Sequence, residues 1–422
     1  MKELEFDGVV IGGGAAGMAA ALEIEAAGFS CAIIEREDHL GGILMQCIHN
    51  GFGLQEFKEE LTGPEFAERF IEKIIGSKIA VYLNTTVTDL NTEVNSREAP
   101  KELFCVSPDL GVLHIHTRTV VLAMGCRERN RGNVRIPGSR PAGVYTAGLA
   151  QRLVNIEGYI PGKEIVVIGS GDIGLIMARR MSWVGCKVKA VVEIMPYPSG
   201  LTRNIVQCLR DFDIPLYLSS QTTNIFGNDR VEGVEVTPME NGVPVPEKRF
   251  RIDCDTVLLS VGLVPENELS KAAGVELNGT TNGPIVDSSL MTNMNGIFAC
   301  GNVLHVHDLV DWVAEESRRA GRYAAEWLNG KRIRNQIRAR AGSNVRYVNP
   351  GKLNPLADNQ MYLRSMAVKN DAVLELRLNN RVIKSIKKNH VQPSEMINLT
   401  ISPGDLEGFS LDADSILEFS IV

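Results

Sequence analysis

No two of the eight cysteines are spaced as Cys-x-x-Cys, and that absence removes several chemistries at once. A redox dithiol of adjacent cysteines, a zinc site of paired cysteines and a ferredoxin-type iron–sulfur ligand run all need close spacing. Cys31, Cys47, Cys105, Cys126, Cys186, Cys208, Cys254 and Cys300 are scattered, the pattern of small buried hydrophobes in a reducing compartment. No apolar run reaches the roughly 18 residues that span a bilayer. The first residues lead into a strand without a basic, cleavable leader, so a cytoplasmic location and no membrane span are expected. Basic excess is missing too. The net charge of −7 gives no electrostatic footprint for nucleic acid.

What is present is glycine in a repeated pattern. Asp7-Gly8-Val9-Val10-Ile11 reads as a buried parallel strand, and Gly12-x-Gly14-x-x-Gly17 follows it. Ala15 to Ala27 is Ala-rich and helical, Gly28 ends the helix, and Cys31 to Glu35 is a second strand closing on an acid. The same plan recurs. Glu164 to Ile168 is the strand, Gly169-Ser170-Gly171-Asp172-Ile173-Gly174 the turn, and Leu175 to Val184 the helix. Cys186 to Val192 is the next strand, ending at Glu193. In each turn the first glycine makes the tight bend, the second lets backbone approach a pyrophosphate, and the third lets helix and strand pack closely. The helix N-terminus offers N–H groups to the phosphates, and the acid accepts from ribose hydroxyls. One such fingerprint is weak evidence; two in one chain predict two dinucleotides, with electrons passing between them.

At 422 residues the chain should hold two or three domains. Val81 to Val87, Leu103 to Val106 and Val112 to His116 read as an antiparallel meander, and residues 229 to 252 repeat it in the second half. From about residue 335 alternating strands take over: Val373 to Leu378, Arg381 to Lys387, Met396 to Ile401 and Ile416 to Val422. They predict a small all-β module without chemistry of its own. Lys331, Arg332, Arg334, Arg338 and Arg340 precede it and read as a solvated linker, ahead of an anion or partner contact.

Three more motifs join the fingerprints in a fixed order. Gly41-Gly42 follows the Glu35 strand, Thr119 to Gly125 is a strand ending in Ala123-x-Gly125, and Gly296 to Asn302 is a strand ending in a Gly301-Asn302 turn before a long helix. Over about residues 1 to 330 this order resembles the two-dinucleotide-binding-domain flavoproteins, the pyridine nucleotide–disulfide oxidoreductase superfamily. The resemblance implies an α/β fold of two Rossmann-like three-layer nucleotide-binding domains, for FAD and NAD, plus the small all-β C-terminal module. Domain boundaries are expected at 1–135 with 265–334 for FAD, 136–264 for NAD(P)H, and 335–422 for the module. It further implies that Gly12, Gly14, Ala15, Ala16, Gly17, Glu35, Arg36, Gly41, Gly42, Val87, Ala123, Gly125, Gly301 and Asn302 hold FAD. Gly169, Gly171, Asp172, Ile173, Gly174, Glu193 and Gly262 would hold the nicotinamide nucleotide. The superfamily normally has Asp where Asn302 stands; Asn keeps the hydrogen-bonding capacity without the charge. Glu193 favours the free 2′-hydroxyl of NAD(H) over the 2′-phosphate of NADP(H), with Arg203 downstream softening that preference.

The departures matter as much. Disulfide reductases carry a cysteine pair after Gly-Gly or inside the nicotinamide domain, whereas here only Cys47 follows Gly42, and thioredoxin or glutathione reduction is not expected. The stretches Gln46 to Gly53, Arg127-Glu128-Arg129 with Arg135 to Gly138, and His305 to Asp311 look like a narrower group. These are the NADH-oxidising subunits associated with anaerobic glycerol-3-phosphate dehydrogenase, opine oxidase, dye-linked proline dehydrogenase and hydrogen cyanide synthase. The resemblance implies two partners, a dehydrogenase subunit plus a small iron–sulfur or cysteine-rich redox protein, with the oligomeric state open. Hydride would pass from NADH to FAD and on to a partner or acceptor. Alternatives are a stand-alone NADH oxidase or peroxidase using Cys47, or a flavin-bound scaffold. Cys47 and His49 are the candidate catalytic pair, although packing of Cys47 and a backbone contact for His49 are preferred. His305-x-His307 with Asp308 raises a metal reading; no third ligand is evident, so shaping the flavin loop is preferred and no metal is assigned.

Overall fold

In the computed structural model, which describes residues 1–92, 100–412 and 414–422, packing divides the chain into two compact units. Met1–Cys126 with Pro265–Val422 form one, and Arg127–Val264 the other.

The first unit is built on a parallel sheet. The strand Lys2–Ile11 lies between Cys31–Ile34 and Gly111–Leu122, with Ala80–Tyr82 and Ile297–Ala299 outside them. Register decides what this sheet can do. Ile11 pairs with Ile34 and with Leu122, and Leu122 pairs with Ala299. The carboxyl ends therefore stop level, and the loops beginning at Gly12, Ala123 and Cys300 leave from one edge. That edge is where open α/β sheets bind ligands. Val9, Val10, Ile33, Val120 and Val121 are buried on both faces, as a covered parallel sheet requires. The helix Ala15–Ala26 is small-residue rich because it must approach the Val310–Leu328 helix closely. A Cβ on Gly321 would stand 2.3 Å from the Ala20 carbonyl oxygen.

The second unit repeats the plan with strands ordered Val144–Thr146, Thr256–Leu259, Glu164–Ile168, Lys187–Val192 and Leu216–Tyr217. Ile168 pairs with both Val192 and Leu259, so the second glycine turn also leaves a level carboxyl edge. An antiparallel layer of Ser220–Phe226, Gly233–Glu240 and Phe250–Ile252 accompanies it.

Residues 335–422 form two small sheets around a core of Leu353, Met361, Leu363, Leu374, Leu376, Leu417 and Phe419. They belong to the first compact unit. Arg338 and Arg340, read as linker, lie in the strand Ile337–Ala341, and Arg340 pairs with Glu418 at 2.6 Å. Arg332 stacks on the Trp327 ring, 3.4 Å from its centroid. Two strand readings change. Val112–His116 and Thr119–Leu122 are one strand, Gly111–Leu122, because the polar stretch His116 to Arg118 stays paired to Lys2–Ile11. Val81 to Val87 is interrupted at Asn84, whose left-handed φ of 48° ends the parallel Ala80–Tyr82 and precedes the antiparallel Thr86–Asn91. Among the described residues, no helix is long and apolar enough to cross a membrane.

Candidate active site

The first glycine turn is set by contacts that only glycine permits. Gly12 has φ +107°, and a Cβ there would lie 2.5 Å from the Ala123 carbonyl oxygen. A Cβ on Gly17 would lie 1.7 Å from the Gly12 carbonyl oxygen, the close strand–helix approach expected of the third glycine. Gly14 is different: a Cβ would meet only the Gly42 Cα, at 4.0 Å. The space in front of Gly14 is not filled by protein. Gly14 is also the N-cap of Ala15–Ala26 and supplies no side-chain acceptor, so the first-turn N–H groups at Ala15, Ala16 and Gly17 keep their anion-binding capacity. Gly41 closes the other side by donating to the Gly13 carbonyl at 2.9 Å. Gly42 opens a 3-10 turn, and Gly125 has φ +72° with open space before its Cα.

Glu35 is buried at the end of its strand. One carboxylate oxygen accepts the Gly13 N–H at 2.6 Å and the other accepts the Glu37 N–H at 2.8 Å. Each oxygen keeps a second lone pair for a ribose hydroxyl. Arg36 is exposed beside Glu37. Val87 pairs with Cys105 in the antiparallel ladder. Gly301 donates to Glu316 Oε1 at 2.8 Å, and Asn302 Oδ1 accepts the His307 N–H at 3.0 Å. An uncapped helix start, a cradle that a larger residue at Gly14 would fill, and an acid at the ribose end fit a bound dinucleotide.

In the second unit a Cβ on Gly169 would stand 2.1 Å from the Ser260 carbonyl oxygen, and one on Gly174 2.6 Å from the Ser260 Cβ. Gly171, N-cap of Asp172–Trp183, again has no side-chain cap, and its Cβ would come only within 3.3 Å of Ser260 Oγ. Glu193 is buried. Its Oε2 accepts from the Ser170 N–H at 2.9 Å and from the Ser170 and Ser199 hydroxyls, and its Oε1 accepts from Met195 N–H at 2.9 Å. Asp172 accepts from Leu201 N–H at 2.8 Å and Asn204 Nδ2 at 2.6 Å, holding the 201–204 segment rather than facing outward. Ile173 is half-buried, and the Gly262 carbonyl accepts from Arg129 N–H at 2.9 Å.

None of the eight cysteines is in a disulfide. The Cys47 thiol donates to the Ile43 carbonyl at 3.3 Å, and burial pushes its pKa up to about 12. His49 Nδ1 lies 3.0 Å from the Asn50 carbonyl oxygen, and its ring packs on Phe52.

The sequence shows His305, His307 and Asp308 at the Gly301 loop but not the groups that join them, Glu316, Tyr362 and Arg364. His305 Nε2 lies 3.0 Å from Glu316 Oε2 and His307 Nε2 lies 3.5 Å from it, with all three side chains buried. From the C-terminal module, Tyr362 packs its ring 5.4 Å from His305 and 5.6 Å from His307, and its hydroxyl donates to Glu315 Oε2 at 2.9 Å. Arg364 pairs with Asp308 and donates to the Val306 carbonyl at 3.0 Å. Asp311, in the first turn of Val310–Leu328, accepts from the backbone N–H of Gln55 at 2.9 Å and Glu56 at 2.8 Å, which ties the segment after Cys47 to that helix. Glu316 stands on a helix face that reads as an ordinary solvated acid, so periodicity alone carries no signal for it.

Two level sheet edges, each with a fingerprint turn and a buried acid, define a flavoprotein of the class that holds FAD and a nicotinamide nucleotide in one chain. The chain belongs to the pyridine nucleotide-disulphide oxidoreductase family, whose model matches residues 6–348. It is an FAD- and NAD(P)-dependent oxidoreductase. It is 26% identical over 319 residues to an opine oxidase subunit of Agrobacterium tumefaciens (strain Ach5), covering 70% of this chain and 61% of that one. It is 26% identical over 293 residues to hydrogen cyanide synthase subunit HcnB of Pseudomonas protegens, covering 65% and 60%. The chain thus spans about three fifths of the length of these curated relatives. Thioredoxin reductase of T. acidophilum has the same fold, with a TM-score of 0.63 at 24% identity over 76% of this chain and 98% of that one.

Proposed function

We propose that this chain is the NADH-reactive flavoprotein subunit of a multi-subunit dehydrogenase of the glycerol-3-phosphate dehydrogenase type. The observation that carries the reading is two dinucleotide cradles in a chain whose cysteine nearest the Gly41-Gly42 turn is outside any disulfide and donates to the Ile43 carbonyl. Bound FAD supplies the acceptor for a hydride from the nicotinamide and the exit route for electrons. The residues do the positioning. Gly14 admits the pyrophosphate, the first turn of Ala15–Ala26 balances its charge, and Glu35 orients the ribose. Gly169, Gly171 and Gly174 repeat this for NADH. No side-chain base is needed, since the transferred hydrogen carries its own electron pair. The names of the relatives, subunits of larger enzymes, support partner subunits for this chain as well. The absence of any close cysteine pair here fits two partners: a dehydrogenase subunit, plus a small iron–sulfur or cysteine-rich protein. Purification of the native complex should yield both; a chain that purifies alone and turns over peroxide with NADH would favour the stand-alone peroxidase instead.

Cys47 is a spectator of electron transfer in this account. Burial raises its pKa and disfavours the thiolate at neutral pH. Cys47→Ser should keep NADH-dependent dye reduction within about threefold of wild type, a loss under about 0.7 kcal/mol. Iodoacetamide at neutral pH should modify Cys47 far more slowly than an exposed thiol. Loss of dye reduction in Cys47→Ser with FAD still bound would give Cys47 a redox role.

Glu193 sets the preference for NADH by placing a carboxylate at the ribose end of the second cradle. Hydrogen bonds from Ser170 and Ser199 hold it there. In Glu193→Ala the ratio of kcat/KM for NADH over NADPH should fall about tenfold, equivalent to about 1.4 kcal/mol. A wild-type enzyme faster with NADPH contradicts this assignment.

A further inference from the structure

His305, His307 and Glu316 are brought together from the Gly301 loop and the middle of the Val310–Leu328 helix, and the dinucleotide account uses none of their side-chain nitrogens. The separations have a recognisable scale. Around a tetrahedral Zn²⁺ with bonds near 2.0–2.1 Å, ligand atoms stand about 3.3 Å apart. Here Glu316 Oε2 is 3.0 Å from His305 Nε2 and 3.5 Å from His307 Nε2. One donor atom from each of the three lies within 4.8 Å of the others.

The surroundings are those of a ligand set. Glu316 Oε1 is held by the Gly301 N–H at 2.8 Å, which fixes the carboxylate and leaves Oε2 to the imidazoles. His305 Nδ1 faces the Tyr347 hydroxyl at 3.5 Å, the outer-sphere contact that orients a ligating imidazole. The nearby arginines already have acids of their own: Arg319 pairs with Glu315 at 2.9 Å and Arg364 with Asp308. Among the described residues no guanidinium pairs with the buried Glu316. The independent sign is His307, a buried side chain whose Nδ1 meets no hydrogen-bond partner among the described residues and whose Nε2 meets only Glu316 Oε2. Its Nε2 faces Glu316 at 3.5 Å without hydrogen-bond alignment. A buried imidazole normally donates from one nitrogen and accepts at the other. A second cluster, Glu3 with His114 and His116, is partly exposed.

We propose that His305, His307 and Glu316 supply three ligands to a divalent transition-metal ion of the Zn²⁺ class, with a water completing a buried tetrahedral centre. Two imidazoles and one carboxylate suit Zn²⁺, and hard oxygen-seeking cations would not choose this set. The ion ties the Gly301 loop to the Val310–Leu328 helix, and the module's Tyr347 and Tyr362 rings cover it. It performs no electron transfer.

The test is the metal content of the full-length, FAD-bound protein purified without chelator. About one Zn²⁺ per chain is expected. After removal by a strong chelator, Co²⁺ alone should rebind and give the intense visible bands of tetrahedral coordination, at wavelengths beyond the flavin absorption. His307→Gln should lose both signals and keep the flavin colour. If that variant fails to fold, the wild-type metal content and Co²⁺ spectrum decide. Wild-type protein with less than about a tenth of an equivalent, and no Co²⁺ spectrum after refolding in Co²⁺, overturns the proposal.

Discussion

Gly14→Val should purify folded and colourless. The valine side chain meets no protein wall, because a Cβ at Gly14 approaches only the Gly42 Cα, at 4.0 Å. What it fills is the space that a pyrophosphate needs to reach the N–H groups at the start of Ala15–Ala26. Losing two charge-assisted hydrogen bonds costs about 3–6 kcal/mol, or a factor of about 10² to 10⁴ in affinity. Gly17→Ala is the control with the opposite signature. Its Cβ would stand 1.7 Å from the Gly12 carbonyl oxygen, so the strand–helix turn itself must move and stability must drop. The pair separates a cofactor role from a folding role within one motif. A Gly14→Val protein with wild-type flavin content removes the first fingerprint from the cofactor site.

The second large effect is expected at Tyr362, outside every nucleotide motif. Its side chain is fully buried, its ring packs on His305 and His307, and its hydroxyl bonds Glu315. Tyr362→Ala removes an aromatic ring from a closed site and should cost about 3–5 kcal/mol. Arg319, which lies 3.2 Å from the same hydroxyl, loses a partner as well. In a unit of this size the melting temperature should fall by about 6–15 °C. Tyr362→Phe keeps the ring and should lose about 1–2 kcal/mol. Differential scanning calorimetry with FAD bound distinguishes them. Equal melting of Tyr362→Ala and wild type would mean that the 335–422 module is held by other contacts.

That second result marks where sequence reading ended. The glycine turns were legible because their demands are local. A bend at Gly12, an approach at Gly17 and an acid at Glu35 sit within one βαβ unit, and the same holds for Gly169 to Glu193. Family order then extended the reading to Gly125 and Gly301. The all-β character of residues 335–422 was legible from alternation, although Val345–Asn349 and Asn359–Ser365 were not singled out. What stayed hidden depends on distant residues meeting. Arg364 reaches Asp308 across 56 positions and Tyr362 reaches Glu315 across 47. Neither Arg364 nor Tyr362 belongs to a motif, and Glu316 has the appearance of one more helix-surface acid. The His305-x-His307 pair was visible, but its third partner was not, because helix periodicity does not say which acid faces inward. The unbroken strand Gly111–Leu122 was missed for a related reason. Its polar centre looks like a turn until Lys2–Ile11 is known to pair along it.

Anaerobic addition of NADH to the yellow full-length protein, followed by its visible spectrum, addresses the central claim most directly. Two cradles joined in one oxidoreductase predict that about one equivalent of NADH bleaches the oxidised-flavin absorption with no other protein or thiol present. The same should hold in Cys47→Ser. A spectrum unchanged by both NADH and NADPH, in protein shown to contain FAD, would contradict it.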